Sequence, residues 1–421
     1  MRMLGSDNKR YMINKMFGKR RVFSLVILIF LSVGSLAQPK VDVAKIFDLA
    51  EKQYKLLLDE HRDSSIFPFS LKKDGTLKDS KSEWWTSGFF PGTLWYLYEY
   101  TKKDEWKDAA NRWTLALKKE QWNTTTHDLG FMLYCSYGNG LRLTGNKSYV
   151  APLLNGAKSL STRFHENVGL IKSWDRFPPN GPDSLFAYPV IIDNMMNLEY
   201  LTWASKYSGN KQFATIAMTH ANNTLKNHFR KDNSCYHAVC YGDNGQVLVK
   251  KTWQGFSDSS SWARGQAWAI YGYTMMYRET KKIEYLQQAE KVATFYLNHP
   301  NLPKDKIPYW DFNAPQIPKE ERDASAGAVV ASALLELSGY VPAKKQYYFN
   351  AAETMLQSLS SNDYTYPVGE GHGYILKHSV GFKPKGGEID VPLVYADYYY
   401  LEALLRYKKL KSGIKKVKRG I

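Results

Sequence analysis

Five aspartates stand just ahead of apolar helical patterns: Asp128, Asp193, Asp258, Asp323 and Asp390. Asp193 follows the apolar run Tyr188-Pro189-Val190-Ile191-Ile192 and precedes a Met-rich helical pattern that starts at Asn194. That is where an N-cap belongs, and a carboxyl so placed can also serve as an acid or base in a cleft. Comparable junctions carry Trp84, Trp85 and Thr86, then His127 beside Asp128, then Ser261-Trp262-Ala263-Arg264-Gly265-Gln266-Ala267-Trp268. Arg322 beside Asp323, and Glu388 close to Asp390, complete the set. Aromatic faces stack on sugar rings, carboxylate pairs move protons and a guanidinium grips a carboxylate with two parallel hydrogen bonds. Arg264 and Trp268 are four residues apart and share one helical face. Plainer readings exist: five helix caps, tryptophans in the core, His127 as a structural residue, Arg264 paired with a buried aspartate. Caps account for each aspartate singly, but not for the aromatics and Arg264 gathered beside them.

The elements that must position these residues repeat along the chain. A turn rich in Thr/Ser, Gly, Asn and Lys, followed by an aromatic, recurs at Thr101–Trp106, Thr144–Tyr149, Ser208–Phe213 and Thr280–Tyr285, and more loosely at Pro342–Tyr347. The aromatics are 43, 64, 72 and 62 residues apart, which describes helical hairpins with loops of varying length. The pattern before each turn is apolar on most sides, at about 88–101, 130–144, 194–208, 262–280, 325–340 and 391–407. The pattern after each turn is a one-faced amphipath, at about 103–119, 146–163, 210–229, 282–298 and 343–360, with 41–60 as one more. Six inner and six outer helices in alternation predict an all-α (α/α)6 toroid. Residues 235–250 predict a small β-hairpin insertion. In such a toroid the inner helices run the same way, so their N-termini share one mouth. Those N-termini also offer free N–H groups to an anion.

Residues 1–37 read as a signal peptide: a basic region with Lys15, Lys19, Arg20 and Arg21, an apolar run from Val22 to Leu31, and small residues at Ser35 and Ala37. Export is therefore expected, with no stable membrane insertion after cleavage. One catalytic domain is expected over 38–410, because no Pro/Gly/Ser linker interrupts it, followed by a basic tail at 411–421. The chain carries a net charge of +17; with seven Lys/Arg and one Asp in 1–37, about +11 remains after their removal. For an exported protein this excess favours an acidic polysaccharide over nucleic acid. Cys235 and Cys240 can form a small-loop disulfide in an oxidising compartment, whereas Cys135 lies in an apolar pattern as a packed thiol. No metal-ligand spacing or nucleotide motif occurs, so no cofactor or metal is expected.

Several of these segments resemble one family. Trp85-Thr86-Ser87-Gly88-Phe89-Phe90-Pro91-Gly92, His127-Asp128-Leu129-Gly130-Phe131, Asp193-Asn194-Met195-Met196-Asn197-Leu198 and Ser261–Trp268 are similar, in order, to motifs of the unsaturated glucuronyl hydrolases, glycoside hydrolase family 88. The resemblance runs from about residue 80 to the last inner helix and implies an (α/α)6 barrel. It implies Asp193 as general acid/base and Asp128 as a second essential carboxylate. It further implies Gln254, Arg264, Trp268, Thr252 and His237 as substrate-binding residues, and Trp85 and Trp174 as sugar-contacting aromatics. The implied reaction hydrates the C4=C5 vinyl ether of a 4,5-unsaturated uronic acid at the non-reducing end of lyase-generated glycosaminoglycan-type oligosaccharides. It implies processing in the periplasm. Competing expectations are an unsaturated rhamnogalacturonyl hydrolase acting on pectin fragments, a sugar epimerase on the same toroid, and a non-catalytic glycan-binding protein. An epimerase would want catalytic histidines at the mouth, where His127 is the main candidate.

Overall fold

The computed structural model describes residues 41–175, 177–178 and 188–418 of the chain. The expected signal peptide lies outside the described residues. Among the described residues, twelve α-helices alternate between two rings, odd-numbered outside and even-numbered inside. They are α1 (Val43–Glu60), α2 (Phe89–Thr101), α3 (Asp104–Ala116), α4 (Asn139–Thr144), α5 (Val150–Ser161) and α6 (Leu198–Ser208). There follow α7 (Lys211–Asn227), α8 (Ala263–Thr280), α9 (Ile283–Asn298), α10 (Ala324–Leu337), α11 (Lys345–Leu359) and α12 (Val394–Lys418). Neighbouring inner helices pack on one another, α6 against the segment Gly130–Gly138 that leads into α4, and α12 closes the ring against α2. The helical ring is thus the expected (α/α)6 toroid. Two inner helices start irregularly: Gly130–Gly138 is π-helical before α4, and Ile192–Asn197 is a 3-10 helix before α6.

The recurring turn has a physical basis. Four of the inner helices end on a residue with left-handed φ: Lys102 (61°), Gly145 (69°), Gly209 (76°) and Lys281 (59°). Each donates its N–H to the carbonyl four residues back, a common way to close a helix C-terminus. The preceding Thr or Ser does double duty. Thr101, Thr144, Ser208 and Thr280 donate their hydroxyl to the carbonyl four residues back and accept an N–H from two residues on. Turns this tight force the following outer helix to run antiparallel.

The connections in the other direction, from outer to inner helix, are longer and carry every described strand. β1 (Phe67–Leu71) and β2 (Leu77–Ser80) form a hairpin before α2. β3 (Phe164–His165) and β4 (Leu170–Ile171) pair before α6. β5 (Tyr188–Ile191), β6 (Ala238–Tyr241) and β7 (Val247–Lys251) form an antiparallel sheet in that order. β8 (Ser379–Phe382) and β9 (Gly387–Val391) form a hairpin before α12. The expected insertion is therefore β6–β7, with β5 as an unexpected third strand. All of this structure gathers at the mouth where the inner helices begin.

The inner ring is close-packed at its axis. Phe89, Phe131, Trp268 and Tyr399 are buried, with Phe131–Trp268 and Trp268–Tyr399 ring centroids both 5.5 Å apart. A Cβ at Gly88 would sit 2.1 Å from the Phe131 carbonyl oxygen, so only glycine admits this approach of α2 to the π-helical turn. The possible small-loop disulfide is not formed. Cys235 and Cys240 are both free thiols, Cys235 packed in the helical core and Cys240 in a separate cluster with Phe177, Ile191 and Ala238. α12 continues to Lys418, into the basic stretch that begins at residue 411. Among the described residues, no helix is long and apolar enough to cross a membrane.

Candidate active site

Asp193 enters the mouth from the end of β5. Strand pairing of Tyr188–Ile191 with β6 fixes the approach, and the 3-10 turn Ile192–Asn197 buries the carboxyl. Its side chain caps no helix: the residue before that turn is Ile191, and no side-chain cap bond forms. Among the five aspartates only Asp323 is an N-cap, accepting from Ser325 N–H at 3.1 Å and Ala326 N–H at 3.3 Å. The plain reading thus fails for Asp193, which is 7% exposed and has no hydrogen-bond partner at Oδ2.

Burial pushes the Asp193 carboxyl up to about 7; the Arg264 charge opposes this and the Asp128 charge adds to it. His237 lies beside it, with Nε2 3.7 Å from Asp193 Oδ2. The His237 tautomer follows from its other nitrogen. Nδ1 accepts the Trp253 N–H at 2.9 Å and the Gln254 N–H at 3.3 Å, so the proton resides on Nε2. Burial drives the imidazole down to about 3, and the pair with Asp193 is a neutral contact rather than an ion pair. Trp268, one turn along α8 from Arg264, holds its indole N–H close enough to Asp193 to favour the anion, without completing a hydrogen bond. An unmet buried donor or acceptor costs about 1–3 kcal/mol. Three of them around one carboxyl, Asp193 Oδ2, His237 Nε2 and Trp268 Nε1, mark a place where a ligand supplies the partners.

Asp128 stands at the neighbouring inner-helix start. Thr126 donates its hydroxyl to Asp128 Oδ2 at 2.8 Å, and His127 Nε2 lies 3.3 Å from Asp128 Oδ1. His127 is buried, and that burial lowers its pKa. Trp85 presents a half-buried ring 5.0 Å from Tyr395 and 5.5 Å from Phe131. Trp174 stacks on Phe177 at 5.8 Å and lies 6.2 Å from the His237 ring.

Arg264 departs from expectation. Its Nη1 donates to Asp323 Oδ2 at 2.9 Å and to the Val380 carbonyl, and Nη2 donates to the Gly381 carbonyl at 2.8 Å. The guanidinium is also sandwiched between Trp262 and Tyr395, at 4.6 and 5.3 Å from their centroids. No free two-pronged fork is left; only Nε lacks a partner. The reading of Arg264 as partner to a buried aspartate is the one the structure shows, and its charge acts on Asp193 through space. Gln254 is similarly tied, donating Nε2 to the Gly381 carbonyl at 3.2 Å, and Thr252 Oγ1 accepts the Gly255 N–H at 2.8 Å. These bonds lace the loop after β7, α8 and the β8–β9 hairpin into one wall. Asp258 and Asp390 have exposed side chains paired with Lys251 and His378, and Asp258 also accepts the Thr252 N–H at 2.8 Å.

Tyr395, Trp253 and Trp262 belong to this wall and escape a motif-based reading. Their signal is positional: like Trp85, each is an aromatic at or near an inner-helix start. At the opposite end of the ring a cavity of about 600 Å³ is lined by Glu199, Arg278, Glu402 and Arg406, among others. Its carboxylates are matched by arginines, as in Glu402–Arg406 at 3.3 Å and Glu99–Arg142 at 2.6 Å, and none of the residues singled out for chemistry lies there.

The Glycosyl Hydrolase Family 88 model matches residues 62–413. The chain belongs to glycoside hydrolase family 88. An unsaturated glucuronyl hydrolase of Formosa agariphila is 43% identical over 403 residues, spanning 93% of this chain and 99% of that protein. A crystal structure of an unsaturated glucuronyl hydrolase specific for heparin superposes with a TM-score of 0.85 at 49% identity, over 88% of this chain and 98% of that one. An Asp-to-Asn mutant of the Streptococcus agalactiae unsaturated glucuronyl hydrolase, complexed with dGlcA-GalNAc6S, superposes with a TM-score of 0.74 at 28% identity, over 89% and 94%.

Proposed function

We infer that the protein is an unsaturated glucuronyl hydrolase that releases 4,5-unsaturated uronic acid from the non-reducing end of glycosaminoglycan-derived oligosaccharides. The observation that carries the assignment of roles is the buried Asp193 carboxyl held up at about 7, ringed by unmet donors. A carboxyl with that value is still protonated over much of the neutral range, as a general acid requires. The substrate's own carboxylate brings a further negative charge, which raises Asp193 again.

Asp193 gives its proton to C4 of the vinyl ether, and positive charge develops on C5 and the ring oxygen. Water adds at C5 while Asp193, now anionic, takes a proton from it. The resulting C5 hemiketal opens by breaking the bond between C5 and the ring oxygen. C1 becomes a hemiacetal, which collapses to an aldehyde and frees the next sugar. The proton borrowed from Asp193 is returned, and one water is consumed. No glycosyl-enzyme forms, so the separation of two carboxylates carries no stereochemical rule here. His237 Nε2–H and Trp268 Nε1–H steady the Asp193 anion between the two proton transfers. Trp85 and Trp174 offer faces to sugar rings. We propose that the protein is exported, on the strength of the signal-peptide pattern, and that it works in the periplasm, as the family resemblance implies.

The test is spectrophotometric. Loss of the ultraviolet absorbance of the conjugated double bond in lyase-generated disaccharides is expected with the wild-type chain and absent with Asp193→Asn. Binding of the disaccharide with unchanged absorbance refutes catalysis. Turnover of unsaturated rhamnogalacturonides in place of glycosaminoglycan disaccharides moves the assignment to the pectin-directed reaction.

A further inference from the structure

The cavity of about 600 Å³ at the far end of the ring is separated from the active site by Phe131 and Tyr399, which line it and pack on Trp268 at the axis. Its arginines are spent on protein partners. Arg278 donates Nε to Glu279 and Nη1 to Glu336, both at 2.9 Å, and Nη2 to Glu199. Arg406 donates to the Ser332 carbonyl at 3.0 Å, the Tyr271 hydroxyl at 2.9 Å and Glu402 at 3.3 Å. Arg142 is held by Glu99 and Asn139. No arginine presents an open fork to an anion; Lys409, exposed at the rim, enters no ion pair among the described residues.

The acceptors are less fully served. Glu199, Glu279, Glu336 and Glu402 share three cations, Arg278, Arg406 and Lys206. Glu402 is filled by the hydroxyls of Tyr96, Tyr271 and Ser332 and by Arg406. Glu199 has Arg278 at one oxygen, and its Oε2 has no partner among the described residues. Burial, opposed by Arg278 and reinforced by the charge of Glu279, pushes the Glu199 carboxyl up. Tyr399 is the second open group. It is 2% exposed, yet its hydroxyl has no hydrogen-bond partner among the described residues. Burial holds that hydroxyl well above its ordinary pKa, with Cys135, Tyr271, Glu402 and Tyr96 adding to the shift; all four line the cavity, so the hydroxyl faces into it. A buried polar group without a partner calls for one. Around these acceptors stand the rings of Tyr134, Trp203 and Tyr271, whose faces attract cations.

We propose that this cavity is a second ligand site, distinct from the active site, for a small organic molecule carrying a primary ammonium group. Glu199 Oε2 accepts the ammonium, the aromatic faces pack on the carbon frame, and the Tyr399 hydroxyl pairs with a second polar group. The volume suits a ligand of small-molecule size. An amino sugar and an aliphatic polyamine share this chemistry, and separate arms of the test tell them apart. The site stands independently of the glycosidase reading.

The experiment is calorimetric titration of the wild-type protein, Glu199→Gln, Tyr399→Phe and Trp85→Ala with glucosamine, spermidine, glucose and glucuronate. Saturable binding of glucosamine supports an amino-sugar site, and saturable binding of spermidine a polyamine site; glucose and glucuronate are expected not to bind there. Glu199→Gln should weaken amine binding about tenfold or more, through loss of a charge-assisted hydrogen bond, and Tyr399→Phe about 3–10-fold. Trp85→Ala, at the mouth, should leave amine binding within twofold. Tyr399→Phe keeps the ring that packs on Trp268 and removes a hydroxyl that no protein group engages, so it decides the matter if Glu199→Gln does not fold. Four results overturn the site: a Kd weaker than about 10 mM for both amines, amine binding indifferent to both cavity variants, amine binding lost in Trp85→Ala instead, or glucuronate binding that the cavity variants alter.

Discussion

Asp193→Asn isolates the cost of keeping this carboxyl buried. The folded protein holds Asp193 up at about 7 against an ordinary value of 3.8, chiefly through burial. At 1.36 kcal/mol per pH unit, that interval amounts to about 4 kcal/mol between the protonated and fully ionised limits. Water reaching the mouth screens part of it, which leaves about 1–3 kcal/mol. Because the folded value lies above the unfolded one, the stabilising contribution of the protonated form is complete below about pH 4. It is lost as pH rises through about 7. Asparagine carries no charge at any of these pH values. The variant should therefore melt close to the wild type at pH 5 and above it at pH 8. In a domain of this size each kcal/mol moves Tm by about 1–2 °C, so the gap should widen by about 2–5 °C. Paired thermal melts at pH 5, 6, 7 and 8, scored as the difference in Tm, give the answer. A difference that is flat across this range, or a variant that grows less stable than wild type towards pH 8, refutes the claim that the site holds Asp193 protonated.

Other consequences follow from the same geometry. Asp323→Ala removes both the partner of buried Arg264 and the cap of α10, and should destabilise the fold by about 3–5 kcal/mol in denaturant unfolding; a loss under 1 kcal/mol contradicts the pairing. Nitrogen NMR of labelled His237 should show the Nε2-protonated neutral ring at pH 6, because Nδ1 accepts two backbone N–H groups; an imidazolium signal there contradicts it. Gly88→Ala places a methyl 2.1 Å from the Phe131 carbonyl and should cost about 2 kcal/mol or more, with a matching fall in Tm; an unchanged melt means that α2 can move away freely.

The toroid was legible because its signals are local. The Thr/Ser–Gly/Lys turns close helix ends through bonds within five residues, and one-faced amphipaths differ from all-round apolar helices in any short window. The strands at the mouth were mostly not legible: β3–β4 and β8–β9 are short and depend on partners set by the ring. The π-helical start at Gly130–Gly138 was also hidden, since its residues suit an ordinary helix and the distortion reflects close packing at the axis. Among the site residues, motif order placed Asp193 and Asp128 at the same mouth. It could not reveal that Arg264 is consumed by Asp323 and two carbonyls, because those partners lie 59 to 117 residues away. Nor could it show that Asp193 caps nothing. Burial without a partner is a property of the assembled mouth.

The central claim is that Asp193 protonates C4 of the unsaturated uronide. Proton NMR of the product formed in D2O tests it most directly. The account predicts a single deuterium at C4 in one configuration with the wild-type chain, and no product with Asp193→Asn. Cleavage that leaves the C4=C5 bond intact and C4 free of deuterium would contradict it.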